Sequence, residues 1–118
     1  MSDPVKAFFD AWVEADPAKR LKAVESSMPD GAVYVDPRTP APLSTASAIS
    51  NYVGMFVEMA PGAVAEIVDT QTQHDRTRAT IAFRMKDGME QLGQYFIERN
   101  DKGAITQMVG FVGTGAPA

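Results

Sequence analysis

The chain has 118 residues, 45% of them apolar and 22% charged, with a net charge of −4; that length suits one domain spanning residues 1–118 with a single modest core. Its 11 basic residues are scattered and it has no cysteine, which argues against a nucleic-acid partner and excludes disulfides, thiolate catalysis and Cys-ligated metals. No basic-then-apolar leader opens the chain and no apolar run approaches the ~20 residues of a membrane span, so the expectation is a cytoplasmic protein without membrane contact.

"SDPVKAFFDAWVEAD" reads as a first helix, with Ser2 or Asp3 as N-cap and Pro4 in the first turn, where a missing N–H costs nothing. Val5, Phe8, Phe9 and Trp12 fall at i, i+3, i+4 and i+7, one apolar stripe. "PAKRLKAVESSM" follows as a second helix that buries Leu21 and Val24, while Lys19, Arg20 and Lys22 read as a solvated face. "AVYVDP" is a short strand ended by Pro37, and the proline-rich "PRTPAPLSTA" is a loop. A third helix spans about residues 45–60, with Ile49, Tyr52, Val53 and Phe56 in register.

From Ala63 onward the apolar period becomes two. Four strands are expected at about 63–74, 77–86, 90–100 and 103–113, joined by the polar turns "HDRT", "KDGM" and "NDKG". Residues 114–118 read as a frayed tail. Helices first and antiparallel strands afterwards make an α+β layer arrangement. Alternation puts Ala79, Ile81, Phe83 and Met85 on one face; Tyr95, Ile97, Val109 and Phe111 are taken as an apolar outer face. An uncovered sheet face is ordinarily wet, so these four predict a homodimer formed sheet to sheet. The alternative is ordinary surface apolarity.

The order of elements resembles the nuclear transport factor 2-like superfamily over residues ~4–113. Within it, "AVYVDP" followed by "AISNYVGMF" is similar to the stretch after the second helix of ketosteroid isomerases and SnoaL-like polyketide cyclases. The closing "GAITQMVGFVG" is similar to the isomerases' last strand. The resemblance implies a cone: three N-terminal helices packed in the concave face of a curved, mainly antiparallel sheet, around a central pocket and without a cofactor. It also implies that Asp36 sits at the general base's position, for proton transfer next to a carbonyl. The helpers differ from the family's pattern. The phenol's place falls on Phe8 and the neutral acid's on Gln94, whose amide is a weaker donor to an oxyanion. A proficient steroid isomerase is therefore not expected.

Tyr34 shares a strand face with Asp36 and is a candidate assistant, so the catalytic candidates are Asp36, Gln94 and Tyr34. Ligand contacts are expected from Phe8 and Trp12 on the first helix and from Tyr52 and Phe56 on the third. The strands add Phe83, Phe96, Met108 and Val112. The occupant is expected to be an apolar small molecule. Two plainer readings stand beside these: tyrosines as core aromatics, and Asp36 as a turn residue bonding its own backbone before Pro37. No metal site is expected, because His74 is the lone histidine and has no second ligand at useful spacing. Met55, Met59 and Met108 read as core fillers or as a plastic pocket wall. The rival to a ligand-binding protein is a binding or dimerisation module whose cone is filled by side chains. A cavity of ~300 Å³ or more separates the two.

Overall fold

A computed structural model describes residues 3–113; the tail assigned to 114–118 lies outside the described residues. Helix α1 (Pro4–Asp10) runs on into a 3-10 turn at Ala11–Val13, followed by α2 (Pro17–Ser27), β1 (Val33–Val35) and α3 (Ala46–Met59). Four strands complete the fold: β2 (Val64–Gln73), β3 (Arg76–Arg84), β4 (Glu90–Arg99) and β5 (Ile105–Val112). Each helix begins where a short polar side chain meets its orphan N–H groups. Asp3 accepts from Val5, Asp16 from Ala18 and Thr45 from Ala48.

The strands form one sheet in the order β1-β5-β4-β3-β2, antiparallel except for the parallel β1–β5 pair. The helices pack on one face of this sheet. Phe8, Phe9 and Val24 from the helices, with Met28 just past the end of α2, meet Ile81, Ile97, Ile105 and Met108 from the strands in one core. No helix among the described residues is long and apolar enough to cross a membrane.

Two expectations fail here. Tyr95 and Ile97 do not lie on the outer face: they are 5% and 1% exposed and point into the core. The register explains it, since Tyr95 pairs with Ala79 on one side and Gly110 on the other, and Ile97 with Met108. All of those are inward residues. Gly110 is what admits the phenol ring, because a Cβ there would stand 2.6 Å from Tyr95 Cε2. The outer face of β4 carries Gln94, Phe96 and Glu98 instead, while Val109 and Phe111 of β5 are on that outer side as expected.

Arg20 is the second correction. It is buried, not part of a solvated helix face. Its Nε and Nη2 donate to the carbonyl of Glu14 at 3.0 and 2.9 Å, and Nη2 also to that of Ala15. The guanidinium thus satisfies carbonyls left over where the 3-10 turn ends, and Gly54 on α3 leaves the space it occupies.

Candidate functional site

Strand β1 is only three residues long, and its parallel register sets Tyr34 against Met108 and Val35 against Val109. Extending that register one step brings Asp36 level with Gly110, the residue across from Tyr95. Pro37 ends the strand there. The chain turns back on itself, and Leu43 pairs with Tyr34, which leads directly into α3 and Tyr52.

Four donors converge on the Asp36 carboxylate. The backbone N–H groups of Arg38 and Thr39 donate to Oδ1 at 2.9 and 3.1 Å. The Tyr34 hydroxyl donates to Oδ2 at 2.7 Å, and the Tyr52 hydroxyl lies 2.6 and 2.7 Å from Oδ1 and Oδ2. A carboxylate offers about four lone-pair sites, so these donors fill it. Asp36 is therefore a turn residue bonding its own backbone and, at the same time, the anchor of a phenol pair.

All three tyrosines of the chain belong to this cluster. Tyr95 places its hydroxyl 3.5 Å from that of Tyr34, beyond the usual ~2.5–3.0 Å of an O–H···O bond. Tyr34 and Tyr52 each spend their single proton on Asp36, so the Tyr95 hydroxyl is the uncommitted one. Burial pushes all three phenols above the ordinary tyrosine value of 10.0, and the negative charge of Asp36 adds to the rise in each. They remain neutral donors throughout the physiological range.

Beside this cluster opens a cavity of about 410 Å³. Trp12, Tyr52, Phe56, Phe83 and Tyr95 form its aromatic wall, and Met55, Met59 and Met85 a thioether side. The rings interlock: Trp12 stands 5.1 Å from Phe56 and 5.3 Å from Phe83, centre to centre. Asp36 and Arg38 are the charged residues of the lining. Trp12 also carries a buried Nε1 with no hydrogen-bond partner among the described residues.

Of the expected ligand contacts, Trp12, Tyr52, Phe56, Phe83 and Val112 line this cavity. Phe8 and Met108 do not; both are wholly buried in the core, Phe8 with its ring 5.5 Å from that of Tyr34. Phe96 is on the outer face, 50% exposed, with its ring 5.6 Å from that of Phe111. Gln94 is also misplaced as an oxyanion donor. Its amide donates to Thr80 Oγ1 at 2.8 Å on the outer side of the sheet. Both errors come from the same inverted phase of β4. Tyr95 is what that error hid, and the small residue at Gly110 was the available signal. Met55 and Met59 form pocket wall, whereas Met108 is core filler. His74 sits exposed in the β2–β3 turn. Among the described residues no group of three His, Cys, Asp or Glu side chains is placed to hold a metal ion.

No family model and no curated protein matches the chain. Solved structures do. A protein of the SnoaL-like family from Agrobacterium tumefaciens superposes with a TM-score of 0.83 at 21% identity, over 94% of this chain and 95% of its own. A protein with a ketosteroid isomerase-like fold from Catenulispora acidiphila, solved in complex with trimethylamine, gives 0.70 at 16%, covering 93% and 85%. A nuclear transport factor 2-like protein of unknown function from Mesorhizobium loti gives 0.69 at 20%, covering 94% and 88%. With three helices on a curved five-stranded sheet, the chain has the nuclear transport factor 2-like fold that these SnoaL-like and ketosteroid isomerase-like proteins share.

Proposed function

We propose that the protein binds a mostly apolar, ring-bearing small molecule in its cone and moves a proton next to a carbonyl, with Asp36 as the base. The observation that carries this is a carboxylate on the wall of a 410 Å³ cavity otherwise lined mainly by aromatic and methionine side chains. That volume exceeds the ~300 Å³ of small-molecule pockets and disfavours a cone filled by side chains.

The chemistry follows from the hydrogen-bond accounting. Asp36 is saturated at rest, so a lone pair becomes free when the half-buried Tyr52 turns its hydroxyl away. The carboxylate then takes a proton from the carbon beside the ligand's carbonyl, and the electron pair moves onto the carbonyl oxygen. Tyr95, the uncommitted phenol of the cavity wall, donates to that enolate oxygen. Returning the proton to another carbon completes an isomerisation. Attack of the enolate carbon on a second carbonyl, with the proton passing to the new alkoxide, closes a ring.

Exchange of the hydrogens beside the carbonyl of 2-tetralone and 3-cyclohexenone for deuterium, followed by NMR, tests the proposal. Asp36→Asn should lower the exchange rate by ~10²–10⁴ and Tyr95→Phe by ~10²–10³, with both variants folded. Exchange that wild type does not accelerate, or that Asp36→Asn leaves unchanged, contradicts it.

A second reading concerns assembly. Phe96 and Phe111 are 50% and 52% exposed and pack edge to face on the outer side of the sheet. We propose that this patch, with Val109, is the face through which two copies pair. Sedimentation equilibrium should show a dimer that Phe96→Lys converts to monomer; a monomeric wild type contradicts the pairing.

A further inference from the structure

Five of the six arginines have their guanidinium groups committed to protein acceptors. Arg20 holds the carbonyls of Glu14 and Ala15, and Arg76 pairs with Asp75. Arg78 is bonded to Gln71, Arg84 to Glu66 and Glu90, and Arg99 to Thr77. The guanidinium of Arg38 makes no hydrogen bond or ion pair among the described residues, although the residue is part of the cavity lining. In a chain of net charge −4, acidic partners are not scarce. This cation is left without one at the mouth of an apolar cavity.

Its mounting is stiff. Arg38 lies between Pro37 and Pro40, and its backbone N–H is fixed at 2.9 Å to Asp36 Oδ1. The same turn therefore aims the carboxylate and sets the position from which the guanidinium reaches. The other charged group of the lining, Asp36, already accepts from four donors, so it is not an anion awaiting a cationic ligand. What remains unmet in the lining is the hydrogen-bonding capacity of the Arg38 guanidinium.

We infer that Arg38 selects the ligand's charge, and that the cavity takes an apolar ring system bearing a carboxylate, with the ring against the aromatic wall and the carboxylate on the guanidinium. This rests on the ligand-binding reading above and narrows it from apolar molecules in general to organic acids. A planar guanidinium suits a carboxylate because it donates two parallel hydrogen bonds.

Trp12 is the sole tryptophan and stands in the cavity wall, so its fluorescence reports occupancy. Wild type, Arg38→Gln and Arg78→Gln are titrated with 2-naphthoate, 2-naphthamide and (2-naphthyl)methylammonium. Wild type should bind the carboxylate about fivefold more tightly than the amide at low ionic strength, with the margin shrinking in high salt. Arg38→Gln should lose that margin while keeping the amide's affinity, and Arg78→Gln, on the outer face, should retain it. Equal binding of carboxylate and amide by wild type, or a margin that survives Arg38→Gln, overturns the inference and leaves the binding reading intact. Tightest binding of the ammonium overturns it in favour of a cation site at Asp36. Failure of wild type to bind any of the three overturns both.

Discussion

The inner and outer faces of β4 carry residues of similar size and polarity, yet they have opposite surroundings. Tyr95 and Ile97 are 5% and 1% exposed, while Phe96 between them is 50% exposed. Inside, the strand faces Ala79, Gly110 and Met108; outside, Phe96 has Arg78 and Val109 as its partners across the strands. Side-chain hydropathy alone does not say which stripe is the core. The neighbours decide it, through the space they leave and the side from which the helices arrive. The consequence is functional, because the inner stripe supplies the phenol at the cavity wall and the outer stripe supplies an exposed aromatic patch.

This contrast can be broken in several ways, and the largest effect is expected at high pH. The folded pKa values of Tyr34, Tyr52 and Tyr95 are all raised above the ordinary value of 10.0, chiefly by burial. For a group whose folded pKa is raised, the stabilisation is complete below the unfolded value and is lost as pH rises through the folded one. Stability should thus hold up to about pH 10 and fall beyond it. Phenolate absorbance at 295 nm should lag behind that of the unfolded chain. A normal titration of even one tyrosine in the folded protein would remove it from the buried cluster.

Truncation gives the next contrast. Ile97→Ala empties core space and should cost ~2–5 kcal/mol in urea unfolding. Gly110→Ala should cost ~1–3 kcal/mol by crowding the Tyr95 ring, since the new Cβ would lie 2.6 Å from Cε2 and 3.0 Å from Cζ. Circular dichroism in the near ultraviolet would follow the displaced phenol. Phe96→Ala is expected to have the smallest effect on the protomer's fold, about 0.5 kcal/mol or less, although it removes a larger side chain than Ile97→Ala does. Equal losses for Ile97→Ala and Phe96→Ala would erase the distinction between the faces.

Most of the architecture was legible in the sequence, because it rests on signals that act locally. Asp3 and Pro4 announce the start of the first helix, and Pro37 ends β1. The switch to period two at Ala63 marks the four long strands. What depends on packing across the sheet was less legible. Tyr34 and Asp36 share a strand face by simple alternation, but the contact from Tyr52 crosses 16 positions and a proline-rich loop. The role of Tyr95 depends on the phase of β4, which two apolar faces leave open. Arg20 shows the same limit: a basic residue on a charged helix reads as solvated until unpaired carbonyls and the gap at Gly54 are seen to receive it.

The account centres on a carboxylate that faces an open ligand cavity. The most direct test is thermal unfolding of wild type and Asp36→Asn with 2-naphthol, a planar phenol that imitates an enolate. At ~100 times its dissociation constant such a ligand adds ~2.7 kcal/mol, a rise of roughly 10 °C in Tm for a domain of this size. The account predicts a rise in wild type and a different one in Asp36→Asn. The same rise in both proteins, or none in either, would contradict it.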